Sequence, residues 1–409
     1  MARIAIAVNS LRGGGVERAV LKVARGLLGR GHAVDLLFRR VFCDFPNEVP
    51  RGLRFFCVTQ SIAADAVEGR RRELEASDVF QGAVIPDPKV ADWKLRHANV
   101  MLALYWRRWR WPLYKYQEHA RVAFRVAAYL DSERPDALLT TGIKPPIWAV
   151  CARQIARHRV RTVATLDGWP AEKTARMAPC VYPFADAVIA VSHGCARFVT
   201  DVLKARVPVH TVYKPLVGPE ELRKAAEPVD HPWIGGEVPV ILSAGSLWKD
   251  YPNLLQAVAL LSARRPVRLI VLARREEPWL GQLQQQARSL GIADAVDFPG
   301  FVDNPYAFMA NADLFALSSP REGMPQVLVQ AMMTGCPVVA TDCAVGPAEL
   351  LANGEYGRLA PVGDPEALAE AMGQELDDPR DAEKLRARVV ELFGVERAVD
   401  QYERILLAK

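Results

Sequence analysis

The chain has 409 residues and a net charge of +5, with 50% of its residues hydrophobic and 24% charged. That balance excludes a disordered chain and a strongly basic nucleic-acid scaffold, and the length suits two domains better than one core. The seven scattered cysteines form no CxxC pair, so neither a zinc site nor a disulfide frame is expected, and reduced thiols in the cytoplasm fit best.

Met1–Ser10 has too short an apolar part for a signal peptide and reads as a first strand, Arg3–Val8. No apolar run anywhere approaches the ~20 residues of a membrane span. The loop Asn9–Gly15 follows, then a helical pattern over Val16–Arg30, a stop at Gly31 and a strand at Ala33–Phe38. Such an opening is a βαβ unit of Rossmann type. Gly13, Gly14 and Gly15 at the top of strand one let backbone N–H groups approach a phosphate, although a glycine run is also an ordinary turn. Its spacing does not match the dinucleotide fingerprint, which disfavours a dehydrogenase.

Residues 94–125 carry eight Lys/Arg and a single acid, Glu118, around Tyr105–Tyr116. Basic and aromatic residues interleaved in this way suit an anionic membrane surface, could also stack on single-stranded nucleic acid, or else form a solvated helix face with the aromatics partly in the core. The mild net charge hints at anionic partners without establishing nucleic-acid binding, and no nucleic-acid partner is expected.

Strands are expected at Ala137–Thr140, Thr162–Leu166, Ala187–Val191 and Val209–Tyr213, with helices over Ile147–Arg157 and Cys195–Leu203 between them. Asp167-Gly168 reads as a turn beside the expected site, and His193 either faces the cleft or caps the next helix, the cap being favoured. The prolines and glycines of Lys214–Pro239 suggest a linker. A second alternating series then runs through Val240–Ala244, Val267–Leu272, Ala295–Phe298, Leu314–Leu317 and Pro337–Thr341. Alternation of this kind calls for α/β architecture with parallel, doubly wound sheets.

The richest stretch is Ser318–Met332, a strand end, a polar loop with one carboxylate and a helix, followed by Gly335–Asp342. In an open α/β sheet ligands sit at the carboxyl ends of the strands. This passage, with Gly300–Tyr306 and Gly346–Leu350, resembles the retaining glycosyltransferases of family 4, whose signature is a Glu, seven residues and a second Glu. The resemblance implies the GT-B fold, two Rossmann-like doubly wound domains facing across a cleft. It implies an acceptor domain at 1–215, a nucleotide-sugar donor domain at 216–395, and a last helix, 396–409, crossing back to the first. It implies further that Glu322 contacts the donor sugar, Lys249 the diphosphate and Val302 the base. Gly14, Gly15, Ser246, Gly323 and Met324 would stand around the donor.

Two positions depart from the pattern. Gln330 replaces the second Glu, and Ser246 stands where the family has a basic residue; Arg274 or Arg275 is a candidate substitute. Gln330 reads either as a neutral ribose contact or as a helix residue paired with Gln326. The implied activity moves a sugar from a nucleoside diphosphate sugar, UDP-sugar favoured, to a glycan or lipid-linked acceptor. It needs no metal or other cofactor and belongs in the cytoplasm or on the inner face of the plasma membrane. The other reading is a non-catalytic glycosyltransferase-like subunit.

Overall fold

The structure is a computed structural model that describes residues 1–11, 15–39, 43, 46–58, 117–142, 145–169, 178–245, 249–273 and 279–408. The chain divides into two compact units. One comprises Met1–Val191, Cys195–Lys214 and Ala398–Lys409, the other Ser192–Gly194 and Pro215–Arg397.

The first unit is built on a seven-stranded parallel sheet in the order β3-β2-β1-β4-β5-β6-β7. Its strands are β1 (Arg3–Val8), β2 (Ala33–Phe38), β3 (Arg54–Cys57), β4 (Ala137–Thr140), β5 (Arg161–Leu166), β6 (Ala187–Ala190) and β7 (Val209–Thr211). Most read as unbroken apolar runs because helices cover both faces of a parallel sheet. Helices α1 (Gly15–Gly29), α2 (Gln117–Glu133) and α3 (Pro145–Ile155) supply that cover. One core layer joins Ala5 and Ala7 of β1 and Leu138 of β4 to Val126 and Leu130 of α2 and Trp148 of α3. The next helix, α4 (His193–Arg197), runs into a π-helical turn at Phe198–Val202.

The second unit carries a six-stranded parallel sheet, β10-β9-β8-β11-β12-β13. Its strands are β8 (Val240–Ala244), β9 (Arg268–Leu272), β10 (Val296–Asp297), β11 (Leu314–Leu317), β12 (Val338–Thr341) and β13 (Arg358–Ala360). Around it lie α5 (Pro219–Ala225), α6 (Tyr251–Ser262), α7 (Trp279–Ser289), α8 (Pro305–Asn311), α9 (Gln326–Thr334), α10 (Pro347–Leu350), α11 (Pro365–Asp377) and α12 (Ala382–Phe393). Several of these helices start on the same chemistry. Asn304, Asp364 and Asp381 each accept the backbone N–H three residues on, from Ala307, Ala367 and Lys384, meeting one of the four amides a helix start leaves unpaired.

The expected linker over Lys214–Pro239 is only partly irregular. It contains α5, and Leu216 and Val217 donate their N–H groups to the Phe393 carbonyl (3.0 and 3.1 Å), so the segment is packed into the second unit. Gly218 and Pro219 open α5 rather than a flexible joint, since proline at a helix start gives up an amide that would be unpaired anyway.

The last helix, α13 (Val395–Leu406), belongs from Ala398 onward to the first unit. Its buried stripe, Ala398, Val399, Tyr402, Ile405 and Leu406, repeats at helical spacing. Val399 lies against α1 so closely that a Cβ on Gly26 would come within 2.5 Å of it. Arg30 bonds Glu403 (2.6 Å) and Asp400 (2.6 Å), and His32 Nε2 meets Glu403 (2.7 Å) while its Nδ1 accepts from Ala2 N–H (3.2 Å).

Candidate active site

In both sheets the strand order reverses between neighbours, at β1 and β4 in the first and at β8 and β11 in the second. The carboxyl ends of such a neighbouring pair are where open α/β sheets bind ligands. In the second unit, the loop after β8 carries Lys249 and the loop after β11 carries Glu322. The two meet as an ion pair, Nζ to Oε1 2.5 Å, with side chains only 14% and 13% exposed.

The sequence around this pair is fitted to it. Gly245 has φ +137°, and a Cβ there would stand 2.7 Å from Lys249 Cε, so only glycine lets the lysine stem pass along the backbone. Ser318, fully buried at the end of β11, donates its hydroxyl to the carbonyls of Lys249 and Asp250 (3.0 Å to the latter) and so ties the two loops together. Asp250 takes a left-handed conformation and caps α6 through Asn253 N–H. Thr341 of β12 donates to the Ser319 carbonyl (2.6 Å). The Cys343 thiol is pushed up to about 11, first by burial and then by the Glu322 carboxylate beside it. It is therefore a neutral wall rather than a nucleophile.

Gly323 and Met324 are buried, and they lie before α9 rather than in it, because the helix begins at Gln326 behind Pro325. Gln330 is half-buried, and its amide nitrogen donates to the Tyr306 hydroxyl at 3.1 Å. Its partner is thus Tyr306 and not Gln326. Val302 is half-buried in the loop that leads into α8. That loop is pinned from behind, since Asn304 Nδ2 donates to the Lys224 carbonyl (2.8 Å) and to Glu227 (2.8 Å).

Gly15 begins α1 at the carboxyl end of β1, exposed and in the first unit. Gly14, Ser246, Arg274 and Arg275 lie outside the described residues, as does the basic-aromatic segment up to residue 116. Among the described residues no group of three or more His, Cys, Asp or Glu is arranged to hold a metal, and no helix is long and apolar enough to cross a membrane.

Two polar constellations escaped the sequence reading. Asp167 is more than a turn residue. It pairs with Lys214 Nζ (3.1 Å), accepts from Gly142 N–H (2.6 Å) and also accepts from the Thr165 hydroxyl. Burial opposes its charge, but Lys214 and these bonds hold the carboxyl below its usual range. At His193 the backbone N–H, with that of Gly194, donates to the Glu349 carboxylate (2.9 and 3.2 Å). Neither arrangement had a sequence signal beyond the presence of the acids, because the partners lie 47 (214 − 167) and 156 residues apart.

Residues 13–216 match the family model described as Glycosyltransferase Family 4, and residues 238–378 the one described as Glycosyl transferases group 1. The lipopolysaccharide core biosynthesis glycosyltransferase LpsE of Rhizobium meliloti is 32% identical over 179 residues, 42% of this chain and about half (51%) of that protein. The N-acetyl-alpha-D-glucosaminyl L-malate synthase of Bacillus anthracis is 27% identical over 69% of this chain and 77% of its own length. Among solved structures, Anabaena Alr3699/HepE in complex with UDP and glucose superposes with a TM-score of 0.68 at 20% identity, covering 100% of both chains. With two parallel sheets of this order and family matches across both units, the chain belongs to glycosyltransferase family 4 and has the two-domain α/β fold of type GT-B.

Proposed function

We propose that this chain is a retaining glycosyltransferase. It moves a sugar from a nucleoside diphosphate sugar, a UDP-sugar in our reading, to a glycan or lipid-linked acceptor in cell-surface polysaccharide synthesis. The observation that carries this is the Lys249–Glu322 pair at the strand reversal of the second sheet. The UDP held by HepE and the lipopolysaccharide role in the name of LpsE support the donor and the pathway class.

The pair supplies what the reaction needs. As the bond from the sugar's C1 to the leaving phosphate breaks, negative charge gathers on the diphosphate, and the Lys249 ammonium meets it. Glu322, which can only accept hydrogen bonds, holds donor hydroxyls. The new bond from C1 to the acceptor oxygen forms on the face the phosphate leaves, and the acceptor's proton goes to the departing phosphate oxygen. No side chain is assigned as base. Without donor, Lys249 and Glu322 neutralise one another; with it, each finds its partner in the ligand.

The test is thermal stability against UDP, GDP, ADP and their sugar conjugates, where a ligand at a hundred times its Kd adds about 2.7 kcal/mol. Stabilisation by one nucleotide class, lost in Lys249→Ala and Glu322→Ala, is expected, and NMR of the product should show the donor's anomeric configuration retained. No shift with any nucleotide would favour a non-catalytic subunit, the reading that Gln330 and Ser246 motivate.

A further inference from the structure

The loop that carries Glu322 is backed by the segment after β12. Gly346 in that segment has φ +101°, and a Cβ on it would stand 2.9 Å from Pro325 Cδ and 3.2 Å from the Gly323 carbonyl oxygen. Cys343, beside the Glu322 carboxylate, donates its thiol to the Val345 carbonyl (3.6 Å). The same segment meets the turn Ser192–Gly194. A Cβ on Gly194 would come within 2.6 Å of Val345 Cγ1, and Glu349 accepts the backbone N–H groups of His193 (2.9 Å) and Gly194 (3.2 Å). All of these residues belong to the second unit.

Neither glycine leaves room for a side chain between the layers it separates. Packing without slack passes a displacement on, so a shift of Gly323–Pro325 reaches Gly346 and Val345, and Val345 carries it to Gly194. Glu349 supplies the polar tie on this path. Hydrogen bonds from N–H groups to a carboxylate are roughly twice as strong as neutral ones, and here one carboxylate takes two of them. At the head of the path Glu322 has two alternative partners, Lys249 in the free chain and the sugar hydroxyls once donor is bound.

Resting on the donor site proposed above, we propose that Glu349 is a positioning residue that couples the Ser192–Gly194 turn to the donor loop. A nucleotide that fixes Gly323–Pro325 also closes the Glu349 clasp on the turn. A loop held by ligand moves less, and the turn packed behind it then opens less often. By reciprocity the closed clasp favours the nucleotide by the same factor. Glu349 acts through Val345 and Gly346, with no contact of its own to the ligand.

The experiment follows hydrogen exchange over residues 190–198 of the full chain, with and without UDP or whichever nucleoside diphosphate binds, alongside calorimetry. In the wild-type chain the nucleotide should slow exchange at the His193 and Gly194 amides about 5-fold or more beyond any slowing over α11, the lower end of couplings between sites. Glu349→Ala should lose that extra slowing and bind UDP about 5-fold more weakly. Glu349→Gln keeps one acceptor for two donors, so it should recover part of both effects. A Glu349 that serves stability alone would lower the unfolding temperature of both variants and leave the Kd for UDP unchanged, and that result overturns the inference. So does a wild-type chain that binds UDP with no extra change in exchange at His193 and Gly194. Should Glu349→Ala not fold, the wild-type exchange comparison and Glu349→Gln decide the matter. Wild-type chain that binds no nucleotide at all overturns the donor site itself, and this inference with it.

Discussion

Lys249 and Glu322 were readable as separate candidates from the motifs around them, but not as partners, since 73 residues separate them. Replacing Lys249 by Ala, or Glu322 by Gln, is expected to lower turnover about 10²- to 10³-fold, the scale seen when one charge-stabilising group is lost. Because the two neutralise one another in the free chain, the double variant should lose less than the product of the single losses, which a double-mutant cycle on kcat/KM would measure. Gly245→Ala is a finer probe. The added methyl would displace the Lys249 stem and strain a backbone at φ +137°, so a loss of turnover of at least ~10-fold is expected with both charges still present. Unchanged kinetics in Gly245→Ala would mean that the path of the lysine stem is unimportant. Gln330 shows where reading stopped: a helical pattern ranks Gln326 as its neighbour, whereas packing of α8 beside α9 brings in Tyr306. Side chains choose partners across elements, and periodicity reports only along one.

At the scale of elements, strands that are buried on both faces announced themselves. Ala137–Thr140, Val240–Ala244 and Leu314–Leu317 coincide with β4, β8 and β11, because an unbroken apolar run has few alternatives in a parallel sheet. Short strands such as β3 and β13, and α5 among its prolines and glycines, did not, since tertiary packing rather than local pattern holds them. The same is true of the polar clamps between elements. Asp167 and Lys214, 11% and 4% exposed, join the ends of β5 and β7. Removing one partner leaves an uncompensated buried charge, so Asp167→Asn or Lys214→Met alone should cost about 3–5 kcal/mol, while replacing both by apolar residues should cost far less. Equilibrium unfolding of the three variants decides it.

The seam between α13 and the rest of the first unit should respond to acid. His32, then Arg30, hold the Glu403 carboxyl below its ordinary value of 4.5 although burial opposes them. A carboxyl held low binds its proton more weakly in the folded chain than in the unfolded one. Its contribution is complete above the unfolded value and is lost as pH falls through the folded one. Glu375 behaves oppositely: burial, outweighing Arg380 and Arg358, raises it, so its contribution is present below the unfolded value and lost as pH rises through the folded one. Glu403→Gln should therefore cost at most about 1 kcal/mol at pH 7, the range of solvent-screened ion pairs, and remove part of the loss as pH falls below the ordinary carboxylate value. A variant whose stability falls with acid as steeply as the wild type would rule this seam out as a source of that loss.

Over the whole molecule, two Rossmann-like units were legible from alternation alone, whereas the membership of the final helix depends on which face of α1 it covers. The chain passes from the first unit to the second after Lys214 and returns before Ala398. Deleting residues 395–409 should therefore uncover Gly26 and destabilise the first unit rather than the second, as hydrogen exchange of β1 against β8 would show. One imidazole makes a different rearrangement practicable. His32 binds Ala2 through one nitrogen and Glu403 through the other, which brings the beginning of the chain and its closing helix to opposite sides of a single ring. A circularly permuted gene that starts near residue 398, joins residue 409 to Met1 through a few added residues and stops at Arg397 would place the two units one after the other, apart from Ser192–Gly194. The first could then be produced by itself with its own closing helix in front, and the two could be recombined as exchangeable parts.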